Sequence, residues 1–194
     1  MQLLDLITSQ LDESSLSRIA GRAGGNRSGT KNALESALPL ILAGLSRNAQ
    51  QGQAGDIQKA IVKDHDGSIL DNLSDFLAKG PSQSDNRIAD HVFGNKRSTV
   101  EQKVAQSSGL TVDDVSKLLA TLGPIVMGAM AKQQRQDGAG ASDLAGMLGS
   151  ADQQARAMPG GSALADLLDG DGDGDVDAAD LTKLGTGLLG SFFK

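Results

Sequence analysis

Residues 38–47 read LPLILAGLSR and residues 123–132 read GPIVMGAMAK. The first stretch is apolar on every side of a helical wheel around Pro39, so it belongs inside a fold, with a kink expected where proline removes a backbone bond. The two stretches align without a gap: a proline, three apolar residues, a small pair, another apolar residue, a small residue and a base. An old duplication would explain the likeness, and so would two buried helices meeting the same packing demand. In the second case Ala43–Gly44 and Gly128–Ala129 let backbones approach closely. Both accounts place these helices at the centre of an all-α fold.

Working outward, the chain shows helical periodicity and no convincing alternation of the strand type. Leu3, Leu4, Ile7 and Leu11 form one stripe, and a short helix is expected around Ser15 to Ala20 before the breaker GRAGGNRSGT. Ser28 or Thr30 is the expected cap of the central helix, which should run from about Lys31 to Gln50. DIQKAIVKDHDG reads as a short helix ending in a turn. Ser68 and Asp71 have the spacing of a capping box opening SILDNLSDFLAKG, whose Ile69, Leu70, Leu73, Phe76 and Leu77 make one stripe closed by Gly80 and Pro81. After NRIADHVFGNKR, a helix over Thr99 to Ser107 should stop at Gly109. Thr111 and Asp114 then cap a long helix, interrupted at Gly123 and Pro124, and the body should end near Gln136.

Apolar residues make up 39% of the chain, but aromatics only 2%, so the core must be aliphatic, which favours helices over strands. The absence of cysteine excludes disulfides and thiolate chemistry. The opening MQLLDLITSQLDESS lacks the basic start and continuous apolar run of a secretory signal. LPLILAGL and GPIVMGAM are far shorter than the ~20 residues of a membrane span. A cytoplasmic protein is therefore expected.

The net charge of -6 is unevenly placed. From Asp137 onward ten Asp face three bases, so the first 136 residues carry a net charge of only +1. That near-neutral body argues against a nucleic-acid partner, which would need a basic face. The tail acidity points to a local cation site instead. DGDGDGDVDAADL places Asp169, Asp171 and Asp173 at positions 1, 3 and 5 of a twelve-position calcium loop. Gly174 falls at position 6, Asp175 at 7, Asp177 at 9 and Asp180 at 12. Calcium takes about six to eight oxygens, so alternate side chains of a tight loop must point inward while the sixth residue turns sharply. Leu164, Leu167 and Leu168 precede the loop and Leu181, Leu184 and Leu188 follow it, enough for two flanking helices. Aspartate at position 12, in place of the usual glutamate, resembles the dockerin type. A dockerin has two such loops and this chain has one, so cohesin binding is not carried over. A solubilising acidic tail is the plainer alternative, but it would have no reason to place Gly174, Val176 and Asp180 in this register.

Asp64, Asp66, Ser68, Asn72 and Asp75 imitate the same loop, yet Ile69 occupies the glycine position. Asp64–His65 and Asp90–His91 hold the only histidines, and without a convergent cluster they support no catalytic assignment. No enzyme is expected. The expected organisation is a helical domain over residues 1–136, a Gly/Ala/Ser-rich flexible linker over 137–161 with at most a short, lightly docked helix at Leu144 to Leu148, and a calcium-binding segment over 162–194. The fold class is a compact multi-helix bundle with two buried proline-kinked helices and a helix–calcium loop–helix appendage.

MQLLDLITSQL, ALPLILAGLSRNA, DHDGSILDNL, ADHVFGNKRSTVEQKVAQSSGL and LLATLGPIVMGAM occur in this order and together resemble the YidB-like family, a bacterial domain of unknown function. The resemblance covers about residues 1 to 136 and implies a compact all-α fold and a bacterial source, with no activity. The leading expectation is a non-enzymatic protein whose tail Ca2+ orders. The alternatives are a self-associating structural module stapled by calcium and a peripheral membrane protein. The expected partners are the calcium ion and either another protein or a second copy, and a membrane is disfavoured because the amphipathic faces carry few bases.

Overall fold

A computed structural model describes residues 2–138 and 140–157, and every regular element within them is helical. The chain opens with α1 (Leu3–Gln10) and α2 (Glu13–Ala23), followed by the long α3 (Arg27–Asn48) and a π-helical turn over Ala49–Gln53. Next come α4 (Ala54–Asp64), the short α5 (Ser68–Asp71) and α6 (Leu73–Lys79), then α7 (Gln83–Phe93) and α8 (Arg97–Ser108). The second long helix, α9 (Val112–Asp137), and α10 (Ala141–Arg156) complete the described residues. The bundle is built around α3 and α9. Helices α2, α7, α8 and α10 lean on α3, while α1, α2, α5, α7 and α8 lean on α9.

Aliphatic side chains fill the core, as the composition demands. Leu38, Leu40, Ile41, Leu42 and Leu45 of α3 are buried, as are Leu118, Leu119, Leu122, Ile125, Val126 and Met130 of α9. The interruption expected at Gly123–Pro124 does not occur, and α3 likewise continues through Pro39. A proline inside a helix costs about 3 kcal/mol. Full burial of one leucine returns roughly 1.5–3 kcal/mol, so several buried neighbours hold each helix together across its proline. The chain breaks instead at Gly52, whose φ of 91° only glycine adopts readily. By length and composition α9 could cross a membrane, but 83% of its apolar window is buried inside the bundle. It is a core helix.

Two expected starts move. Asn26, not Ser28 or Thr30, caps α3 by accepting from the Gly29 amide at 2.7 Å, while Thr30 is fully buried and donates to the Asn26 carbonyl at 2.9 Å. The Ser68–Asp71 capping box does not form. Asp66 Oδ1 accepts from the Ser68 amide at 2.9 Å and from its hydroxyl at 2.6 Å, and Gly67, with φ of 80°, stands at the cap position. The Thr111–Asp114 box does form: Asp114 N donates to Thr111 Oγ1 at 3.1 Å and Thr111 N to Asp114 Oδ2 at 3.3 Å.

Within residues 137–161, expected as a flexible linker with a short helix at Leu144 to Leu148, the helix is longer and more firmly packed than expected. Ala141–Arg156 is a helix packed chiefly on α3 and α4, with Leu144, Leu148 and Ala155 fully buried and Ala151 nearly so. Those positions are spaced i, i+4, i+7 and i+11, one helical face. Half of that face is alanine and Gly146 and Gly149 interrupt the propensity, which hid the periodicity. The appendage expected over residues 162–194 lies outside the described residues.

The small pairs do permit close approach, though not between α3 and α9. A Cβ on Gly44 would stand 2.7 Å from Val92 Cγ1 and 3.1 Å from the Val92 carbonyl oxygen of α7. One on Gly128 would collide with Ile69 Cγ2 beside α5, and one on Gly123 would meet Ile88 Cγ2 at 3.0 Å. A matched pair of substitutions tests this. Gly21→Ala, in open space on α2, should stabilise by about 0.5–1 kcal/mol through helix propensity. Gly44→Ala should destabilise by about 1–3 kcal/mol because α7 must shift. Urea unfolding of both variants reads the two signs.

Candidate functional site

The expected calcium ligands Asp169, Asp171, Asp173, Asp175, Asp177 and Asp180 all lie outside the described residues. Among the described residues no group of three or more acidic or imidazole side chains is arranged to hold a metal ion. In the imitation loop, Asp64 ends α4, Asp66 caps Ser68, and Asn72 donates to the Ser68 carbonyl at 3.0 Å, so the donors serve local backbone.

The acid–histidine pairs also resolve differently from their sequence neighbourhood. Asp90 is engaged by Arg97, whose Nη1 lies 2.8 Å from Asp90 Oδ1. The same guanidinium donates from Nε to Glu101 Oε1 at 2.8 Å, from Nη1 to the Asn86 carbonyl at 3.1 Å and from Nη2 to Ser116 Oγ at 2.9 Å. Burial pulls the Arg97 pKa down, but the bonds to Glu101 and Asp90 and their charges outweigh it and raise the pKa, so the cation is secure. One planar fork thus ties α7, α8 and α9 together. The run HVFGNKR is therefore structural: Gly94 ends α7, the next residues form a 3₁₀ turn, and Arg97 clamps three helices.

Both histidines meet in one place. A cleft of about 400 Å³ opens between α4 and α7, floored by Leu45, Ile57, Ala60, Ile88, Val92 and Met127. Ser84, Arg87 and His91 line the α7 wall, spaced i, i+3 and i+7 so that they share a helical face. Asp56, Asp64 and His65 line the α4 wall, and Asn48 and Gln53 lie at the turn joining α3 to α4. Asn48 fastens that end by donating through Nδ2 to the carbonyls of His91 at 2.9 Å and Val92 at 3.3 Å. His65 is half-buried. Burial pushes its imidazole below the ordinary 6.5, against the opposing pull of Asp85 and Asp64, so it is neutral at pH 7. Each wall is legible as a periodic face, but their juxtaposition depends on the turn at Gly52, which periodicity does not specify.

The model of a family described as "Bacterial protein of unknown function (DUF937)" matches residues 5–133. The chain belongs to this family. The DUF937 match runs from within α1 to within α9, so it takes in both walls of the cleft and the Arg97 clamp, while α10 lies beyond it. No curated protein and no solved structure matches the chain.

Two predictions separate the structural from the titrating groups. Arg97→Ala leaves the nearly buried Glu101 carboxylate unpaired and should lower unfolding free energy by about 2–4 kcal/mol. Arg97→Lys should recover only part of this, because one ammonium cannot reproduce the fork. For His65, the folded pKa lies below the unfolded one, so the unfolded state binds more protons at acid pH. Stability should hold above the unfolded value near 6.5 and decline as pH falls toward the lower folded value. His65→Gln should remove that part of the slope in a pH series of urea midpoints.

Proposed function

We propose that this DUF937 member is a non-enzymatic bacterial protein that binds one calcium ion in its C-terminal segment, the helical bundle serving as the platform from which that segment extends. The observation that carries the reading is the spacing of Asp169, Asp171, Asp173, Asp177 and Asp180 around Gly174, with the backbone carbonyl of Asp175 as a further oxygen. Two carboxylates ~6 Å apart repel by about 0.7 kcal/mol even in a water-like dielectric. A loop holding five of them is therefore driven open without a cation and closed with one. The dense acidity of the tail has no counterpart in the body, where acids such as Asp56 and Asp113 are matched by Lys59 and Lys117 one helical turn away.

Calorimetric titration of calcium into the full chain, beside the Asp169→Ala/Asp180→Ala double variant, tests the reading. One ion bound per chain, lost in the variant and with the urea midpoint of the bundle unchanged, is the expected result. Micromolar affinity would mark a regulated site, and millimolar affinity a constitutive staple. Wild-type protein that takes up no calcium removes the reading.

A further inference from the structure

The cleft between α4 and α7 holds opposite charges that no ion pair among the described residues takes up. Arg87 on one wall and Asp64 on the other form no hydrogen bond or ion pair with any described residue, although both line the same cleft. Elsewhere in the bundle some facing charges do close up: Arg97 on Asp90 at 2.8 Å, Lys132 on Asp71 at 2.6 Å. The second acid of the α4 wall, Asp56, is already engaged by Lys59 at 2.8 Å. At the Asn48 end, both known donations use Nδ2, so the side-chain carbonyl oxygen accepts from no described residue. Between these polar ends lies the aliphatic floor of Ile57, Ala60, Ile88 and Met127.

The two walls run antiparallel. Asn48 joins the His91 end of α7, and the Asp85 charge is felt by His65 at the other end. Ser84 to His91 spans seven residues, roughly 10 Å at 1.5 Å per residue. A cleft of about 400 Å³ lies at the small end of the range for organic ligands. Its lining offers one cation, one unpaired anion, a free acceptor and an apolar floor, the second acid Asp56 being answered by Lys59.

From this we infer that the cleft is a binding site for a small zwitterion with an apolar side chain, of the size of a free amino acid or dipeptide. Arg87 takes the carboxylate, Asp64 the ammonium group, and the Ile57–Met127 floor the side chain. The site is independent of calcium.

The test is an NMR chemical-shift titration of the full chain with L-leucine and Leu-Leu, beside two leucine analogues that each lack one charge. Leucinamide lacks the carboxylate, and 4-methylpentanoate lacks the amine. At least one zwitterion should bind at millimolar concentration or tighter, with shifts confined to residues 45–48, 53–65, 84–92 and Met127. Each one-charge analogue should bind about tenfold more weakly, the worth of one charge-assisted contact. Arg87→Gln and Asp64→Asn, both exposed and free of internal bonds, should each weaken the zwitterion about tenfold with unchanged unfolding midpoints. Equal binding of 4-methylpentanoate or leucinamide would overturn the zwitterion assignment. Shifts outside the cleft, or none for either zwitterion at millimolar concentration, would overturn the site.

Discussion

Two helices with almost no polar face dictate the remainder of this bundle. Because the central stretches of α3 and α9 bury side chains all round, neither can lie at a surface, and most other elements cover one of their sides, with α6 resting on α2 instead. An aliphatic core without Trp or Tyr has few large side chains to bridge wide gaps, so the covering helices must come close. Glycines in the two long helices make that possible: Gly44 admits Val92, Gly123 admits Ile88 and Gly128 admits Ile69. The likeness between the two core stretches therefore has a sufficient physical cause. Each needs a small residue at the point where a neighbour crosses, and the neighbours differ.

Polar groups then fix what packing alone leaves loose. Arg97 reaches three helices from the turn after α7. Arg22 performs a similar task at the other end, donating to the carbonyls of Leu77 at 3.2 Å and Ala78 at 3.1 Å, the unsatisfied end of α6. Gly80 is required beside it, since a Cβ there would overlap the guanidinium and its φ of 87° favours glycine. These residues give the bundle its register rather than its driving force. Charged hydrogen bonds of this kind contribute about 1.5–3 kcal/mol each, against an apolar core an order of magnitude larger in gross terms.

The core was legible because burial on all sides leaves an unmistakable pattern in Leu38–Leu45 and Ile125–Met130. Caps were legible where the side chain acts alone, as at Thr111, and misread where a neighbour competes: Asp66 captures Ser68, and Asn26 reaches the α3 amides before Ser28 or Thr30 does. Proline misled in the other direction at Pro124, because an isolated rule about helix interruption takes no account of the tertiary contacts that outweigh it. The full length of α10 was hidden by composition, since alanine at positions 151 and 155 buries as surely as leucine yet carries little hydrophobic signal. The cleft was invisible for a topological reason. Its two walls lie about 30 residues apart in sequence, and only the reversal at Gly52 sets them face to face.

The position of α10 also decides how far events in the tail can travel. This helix rests on α3, on α4 and on the π-helical turn, so one wall of the cleft stands between it and the Arg87 side. A tail event could reach the cleft by lifting α10, but that would expose Leu144 and Leu148, both fully buried. Two leucines brought into water cost about 3–6 kcal/mol, and an ion can shift an equilibrium only by its difference in affinity for the two states. Calcium held in the acidic loop would have to prefer the lifted arrangement by more than that. The proposed ligands Asp169 to Asp180 all lie beyond α10 in the sequence, whereas the described lining of the cleft runs from Leu45 to Met127. Helix α10 is thus better understood as a fixed strut than as a lever, and the proposed ion site as separable from the cleft.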